Sequence, residues 1–218
     1  MKDSIINKFK KDLENKKIAI WGLGKEGIST LQFIKNNNIS CKEIAVLEQK
    51  DANIEGIKKL NSQKQLNEYD LIFKSPGIVV DKNVIDTNKL TSQTEEFIKI
   101  LSKQIIGITG TKGKSTTSSL TYTILKQFFP NTILVGNIGI PCFNAINEID
   151  ENTNIIFELS CHQLEFIKYS PHIAVILNLF PEHLDHYKSL KNYINAKLNI
   201  NKFQITISLF MEKLANHI

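Results

Sequence analysis

The chain has 218 residues, a mass of 24.8 kDa, 42% apolar and 22% charged residues, and a formal net charge of +5. A chain this long buries roughly 70% of the surface it exposes when unfolded, enough for one large or two small domains, and its balance excludes a disordered or fibrous protein. All 27 cations are lysine, scattered through helical stretches rather than interleaved with aromatics, so they read as solvated surface and no nucleic-acid partner is expected.

Residues 1–8 carry no apolar core of signal-peptide length, and the longest apolar run, residues 173–177, is far short of the roughly 20 residues of a membrane span. A cytoplasmic location without membrane insertion is expected. Ile6, Phe9 and Leu13 at helical spacing predict an opening helix. Ile18 to Trp21 then reads as a strand, Glu26 to Asn36 as a helix, Ile44 to Leu47 as a strand, Ile54 to Leu60 as a short helix and Leu71 to Phe73 as a third strand. The alternation implies a parallel sheet with helices on its faces.

A polar stretch, residues 81–94, interrupts the pattern, which restarts after a helical segment from Glu95 to Leu101. Strand Ile105–Thr109, helix Lys114–Phe128, strands Thr132–Val135, Ile155–Phe157 and Ile173–Leu177, and a helix from Ser189 to Phe203 follow. The expected fold class is α/β, with a Rossmann-like domain over residues 1–92 and an incomplete P-loop-type central domain over 93–218. Cys41, Cys142 and Cys161 are odd in number and lack a CxxC spacing, so neither a disulfide framework nor a structural zinc site is expected.

The first strand runs into Gly22-Leu23-Gly24-Lys25-Glu26-Gly27 and then a helix, with Glu48 ending the next strand 21 residues after Gly27. This G-x-G-x-x-G suits a nucleotide diphosphate at the helix N-terminus, with Glu48 accepting from a ribose hydroxyl. Either NAD or a UDP-sugar would satisfy it. Ser75-Pro76-Gly77-Ile78 forms a second loop at the same sheet edge; by itself it is an ordinary turn.

A second glycine loop, Gly110-Thr111-Lys112-Gly113-Lys114-Ser115-Thr116, lies between a strand and a strong helical pattern. Glycines there let backbone N–H groups ring phosphates, Lys114 supplies a cation, and the Ser115 hydroxyl reaches Mg²⁺. A dehydrogenase needs only the first loop and a simple ATPase only the second. A chain with both joins a nucleotide-linked substrate to ATP chemistry, whereas an NAD-linked oxidoreductase leaves Gly113-Lys114-Ser115 without a role. A non-catalytic nucleotide-binding remnant is the other reading.

Ligands of open parallel sheets bind beyond the carboxyl ends of the strands. Glu158 ends one strand and is a candidate Mg²⁺ carboxylate. His183 and His186, spaced i, i+3, suggest zinc, but no third soft ligand is expected nearby, and Glu182 and Asp185 suit a harder cation. Lys197, on a helix, reads as a surface cation.

With these residues assembled, the sequence resembles the Mur ligase family, and most of all its D-glutamate-adding branch. The matching stretches run from Trp21–Gly27 through Ser75–Ile78, Ile108–Thr116, Gly136-Asn137-Ile138-Gly139-Ile140-Pro141, Glu158-Leu159-Ser160-Cys161-His162-Gln163-Leu164-Glu165 and Asn178–Asp185 to Ala196-Lys197-Leu198. The resemblance implies ATP and Mg²⁺ as cofactors and UDP-N-acetylmuramoyl-L-alanine and D-glutamate as substrates of a cytoplasmic, monomeric enzyme of peptidoglycan synthesis. It implies that Gly22, Leu23, Gly24, Lys25, Glu48, Ser75, Pro76, Gly77 and Asn137 contact the UDP-linked substrate, and that residues 110–116 hold ATP. Ser115 and Glu158 would hold one Mg²⁺ and His183 a second. Lys197 corresponds to a lysine that the family carbamylates, reversing its reading as a surface cation; with Lys114, Glu158 and His183 it completes the implied catalytic set.

Several positions depart from the family pattern. Lys112 stands where asparagine is usual, and Cys161, His162 and Glu182 replace commoner residues. The resemblance fades from about Lys202, inside what should be the central domain. The third domain of the family, which binds the incoming amino acid, would lie beyond residue 218, so no ligase turnover is expected from this chain alone.

Overall fold

The computed structural model describes residues 2–48, 54–204 and 207–210. The chain divides after Glu96 into two units.

In the first unit, α1 (Lys2–Leu13) turns Ile5, Phe9 and Leu13 into the core, with Phe9 edge-on to Phe33 at a centroid distance of 5.3 Å. β1 (Lys17–Trp21), α2 (Lys25–Asn36) and β2 (Glu43–Leu47) follow as expected. The expected helix over 54–60 is absent. The backbone turns at Gly56 and then forms a short edge strand, β3 (Lys58–Lys59), paired in parallel with Ala45 and Val46 of β2. Four apolar or small residues in that stretch imitate a helical period, but the unmet hydrogen-bonding edge of β2 decides the outcome.

β4 (Leu71–Lys74) comes next, and the polar stretch after it holds a 3₁₀ turn and the two-residue strand β5 (Leu90–Thr91). The sheet is parallel throughout in the order β3-β2-β1-β4-β5. β1 is central and fully buried from Ile18 to Ile20, so the loop leaving it emerges at the middle of the carboxyl edge.

α3 (Gln93–Leu101) starts two residues before the expected position and leads into the second unit. Its elements are β6 (Ile105–Thr109), α4 (Lys114–Phe128), β7 (Thr132–Gly136), β8 (Asn154–Glu158), α5 (Cys161–Leu164), β9 (Ile173–Ile176), α6 (Leu184–Tyr187), α7 (Leu190–Lys202) and β10 (Ile207–Phe210). The second sheet is also parallel, in the order β10-β9-β6-β8-β7. The chain leaves the central β6 for β7 and β8 on one side and later returns to β9 on the other. That reversal marks the carboxyl edge of β6 as the crevice where such sheets bind ligands.

Serine side chains cap the starts of the short α5 and the longer α7. Ser160 accepts from the Gln163 N–H at 3.2 Å while its own N–H donates to Gln163 Oε1 at 2.9 Å, a reciprocal box that starts α5. Ser189 accepts from the Asn192 N–H to start α7. Strand β10 falls in the stretch beyond Lys202, where the resemblance was expected to fade; residues 205–206 and 211–218 of that stretch lie outside the described residues. Among the described residues no helix is long and apolar enough to cross a membrane.

Candidate functional site

In the first unit the glycine loop closes on itself. A Cβ on Gly27 would stand 2.0 Å from the Gly22 carbonyl oxygen, so only glycine lets α2 pack this close to the strand end. The Ser75 hydroxyl donates to that same carbonyl at 2.8 Å, tying the Ser75-Pro76-Gly77 loop to the first. Glu48 Oε2 accepts from the Leu23 N–H at 2.6 Å. Its carboxylate therefore braces the loop at the position where the sequence placed a ribose contact.

Trp21, Gly22, Gly24, Glu48, Ser75 and Gly77 line a cleft of about 900 Å³, within the range of small-molecule sites. Lys59, Asn61 and Ser62 line it too. Sequence reasoning missed these three because it assigned their approach to a helix; as the end of an edge strand they reach the same carboxyl edge as the glycine loop. Lys25 is outside that lining, in the first turn of α2.

In the second unit the phosphate-type loop joins the central β6 to α4. Gly113 caps α4 at φ +83°, a left-handed conformation that a β-carbon would strain. Lys114 Nζ donates to the Gly110 and Thr111 carbonyls at 2.9 and 3.0 Å, so its ammonium lies over the loop. The Thr111 hydroxyl is buried against Tyr193 (2.8 Å) and accepts from the Phe180 N–H at 2.9 Å. Asn178 holds the loop from outside: its Oδ1 accepts from the Lys112 N–H and its Nδ2 donates to the Lys112 carbonyl. Ser115 and Thr116 are exposed in the first turn of α4.

Lys197 is 1% exposed, which excludes the surface reading made from its position on a helix. Its Nζ donates to the Gly110 carbonyl at 2.8 Å, the same oxygen that takes Lys114. Burial, joined by repulsion from Lys114, pulls the Lys197 pKa down to about 8, against partial support from Cys161 and Glu182. A lysine so placed loses its proton more readily than an exposed one.

Glu158 ends β8 beside Ile108 of β6, at the edge from which the loop departs. It is fully buried. Its Oε1 accepts from Asn137 Nδ2 at 2.8 Å, while Oε2 has no hydrogen-bond partner. An ionised oxygen left bare in the interior is costly unless a cation meets it, so the residue fits a divalent metal on chemistry alone. Asn137 contacts Glu158 by backbone as well as side chain, placing it as the orienting partner of that carboxylate.

His183 sits at φ +55° just before α6, half-exposed and 3.7 Å from Glu182, which in turn pairs with Lys112 at 3.0 Å. That pairing, with Lys112 as the leading cause, holds the Glu182 carboxyl below its ordinary range. The structure also overturns the expectation that His183 and His186 have no soft neighbour. Cys161 and His162 come from α5, and the rings of His162 and His183 lie 5.0 Å apart.

Residues 108–210 match the family model of the Mur ligase middle domain. The match runs past Lys202, where the resemblance was expected to fade, and ends with β10. The UDP-N-acetylmuramoylalanine–D-glutamate ligase of Clostridium acetobutylicum is 35% identical over 89% of this chain and 46% of its own length. That of Clostridium kluyveri is 36% identical over 93% of this chain and 48% of its own. The chain thus spans about half the length of the curated relatives it matches. Among solved structures, a UDP-N-acetylmuramate-alanine ligase from Thermotoga maritima aligns with a TM-score of 0.50 at 18% identity, over 90% of this chain and 49% of that one. A UDP-N-acetylmuramate:L-alanyl-γ-D-glutamyl-meso-diaminopimelate ligase from Neisseria meningitides aligns equally well, at 15% identity over 90% of this chain and 70% of that one. At such identities the likeness concerns the fold, and that fold agrees with the sequence match of residues 108–210 to the Mur ligase middle domain.

Proposed function

We propose that this chain carries the UDP-substrate and ATP sites of a ligase that joins D-glutamate to UDP-N-acetylmuramoyl-L-alanine during cytoplasmic peptidoglycan synthesis, and so serves cell-wall growth, cell shape and cell division. The observation that carries the reading is the bare Oε2 of Glu158, set at the strand edge next to a loop over which two lysines share one carbonyl. Relatives named as D-glutamate ligases over most of the chain support the choice of branch.

In this mechanism the L-alanine carboxylate attacks the γ-phosphorus of ATP, ADP leaves, and an acyl phosphate forms. The amine of D-glutamate then adds to the acyl carbon, and phosphate leaves through a tetrahedral intermediate. The first step brings anions together, so positioning and charge carry most of the catalysis. Lys114 swings from the loop carbonyls onto the phosphates, and Gly110, Thr111, Lys112, Gly113, Ser115 and Thr116 present the loop and helix N-terminus to them. The Ser115 hydroxyl and Glu158 would hold one Mg²⁺, and His183 and a carbamylated Lys197 a second; bound there, the ions neutralise the phosphate charge. Asn137 fixes the rotamer of Glu158 and stands at the substrate edge of β7. In the first unit Gly22, Leu23, Gly24, Lys25, Ser75, Pro76 and Gly77 hold the UDP moiety, with Glu48 bracing Leu23. The enzyme acts as a monomer.

Calorimetry on the 218-residue chain tests the reading. MgATP and UDP-N-acetylmuramoyl-L-alanine each bind, K114A weakens ATP by about tenfold or more, in line with loss of a charge-assisted contact, and NAD⁺ does not compete with the UDP compound. Failure of both ligands to bind, or displacement of the UDP compound by NAD⁺, would overturn it.

A further inference from the structure

We propose that His162, Glu165 and His186 form a binding site for a divalent ion of the zinc class. One ligand atom from each of the three comes within 4.8 Å of the other two. His186 Nε2 lies 3.1 Å from Glu165 Oε2, close to the roughly 3.3 Å edge of a tetrahedron with zinc–ligand bonds near 2.0–2.1 Å. The His162 and His186 rings meet edge to face with centroids 4.6 Å apart, so little movement brings both to one ion. Two imidazoles and one carboxylate favour zinc over magnesium, which prefers oxygen ligands and keeps its water.

The three groups are held before any ion arrives. His162 lies on α5, fixed by the Ser160–Gln163 box. Asn199 of α7 donates to the Leu164 and Glu165 carbonyls at 3.0 Å each, fixing the backbone that carries the carboxylate. His186 comes from α6, 21 residues after Glu165. Its side chain is 8% exposed and that of Glu165 is 21% exposed, so an ion there is partly shielded from water. The Tyr187 hydroxyl, 3.4 Å from His162 Nδ1, supplies an outer partner of the kind that orients histidine ligands. Metal binding requires the imidazole nitrogen that ligates the ion to be free of a proton, so the ion replaces the contact between His186 Nε2 and Glu165 Oε2.

A rival set, Cys161, His162 and His183, shares His162. Its thiol is engaged by the Tyr187 hydroxyl and buried at 3% exposure, and its His183 is half-exposed beside Glu182. The carboxylate set is better assembled. An ion in it bridges α5 to α6 and pins the turn bearing His183. The proposal does not depend on the ligase reading, because the ion is measured without nucleotide.

Zn²⁺ titrated into the chelator-treated 218-residue chain should bind one ion per chain with a Kd of about 1 µM or tighter. Co²⁺ used as a probe should give visible ligand-field bands without a thiolate charge-transfer band. The substitutions Glu165→Gln and His186→Gln should each weaken Zn²⁺ about tenfold or more with unchanged far-ultraviolet circular dichroism, while Cys161→Ser and His183→Ala stay within about twofold. Absence of a stoichiometric site, a thiolate band, or a loss in Cys161→Ser equal to that in His186→Gln would overturn the proposal, as would unchanged affinity in the folded Glu165→Gln protein.

Discussion

Glu158 shows how much of a residue's meaning lies outside its local pattern. Its place at a strand end was legible, because β8 is a clean apolar run and a carboxylate follows it. What the sequence could not give is that Asn137, 21 residues earlier, takes one oxygen and nothing takes the other. Lys197 is the same lesson in reverse. A lysine on an amphipathic helix is solvated by default, and its burial follows from a carbonyl 87 residues away at Gly110. The bare oxygen makes a testable statement about stability. In E158Q the amide oxygen keeps the Asn137 bond while the uncompensated charge disappears. Relief of that desolvation should raise stability by about 1 kcal/mol or more, read as a higher urea midpoint without a change in slope. The same variant should lose the Mg²⁺-dependent part of its ATP affinity, measured in excess MgCl₂ against EDTA. A lower midpoint would show that Oε2 is satisfied in solution.

At the level of elements, the alternation of short apolar runs with helical periods gave both parallel sheets, and the errors fell where a segment takes its structure from a distant partner. β3 is two residues long and exists because β2 offers an edge; α5 and α6 are single turns too short to show a period, α5 being fixed by its capping box. β2 also carries an interaction no pattern reveals. Glu43 accepts a short hydrogen bond from Tyr69, whose ring is fully buried ahead of β4, and a second from Lys58 of β3. These bonds, the Tyr69 hydroxyl first, hold the Glu43 carboxyl below its ordinary 4.5. Burial and the neighbouring carboxylate push Tyr69 upward, so it remains a donor at all working pH values. A depressed carboxyl pKa contributes stability above its ordinary value, and that contribution is lost as pH falls through the folded value. Y69F should therefore be less stable than the parent at pH 7, with the gap narrowing in acid as Glu43 is protonated in the parent. Urea midpoints of both proteins across that range check it; a gap that stays constant with pH would assign the loss to packing alone.

Across the whole molecule, two parallel sheets each present a glycine loop at the carboxyl edge of a central strand, β1 in one unit and β6 in the other. This duplication was visible in the sequence as two glycine-rich strand-to-helix turns and is the reason a nucleotide-linked substrate and ATP can be assigned to one chain. It also separates their effects. A ligand that binds only the folded form stabilises it by RT ln(1 + [L]/Kd), about 2.7 kcal/mol at a hundredfold excess over Kd, and amide exchange slows first in the segments it touches. The UDP compound should protect residues 21–22, 24, 47–48, 59–63 and 75–79, which line the cleft of the first unit. MgATP should protect residues 110–117, together with Asn178, whose backbone and side chain are tied to that loop. K114A should erase the second footprint and leave the first intact, since among the described residues Lys114 bonds loop carbonyls of its own unit. Hydrogen exchange read by mass spectrometry resolves the two sets of segments. If ATP instead protected the Gly22 loop, with no change over residues 110–117, the division of labour between the two sheets would be reversed, and with it the assignment of Glu158 to the phosphate-bearing edge.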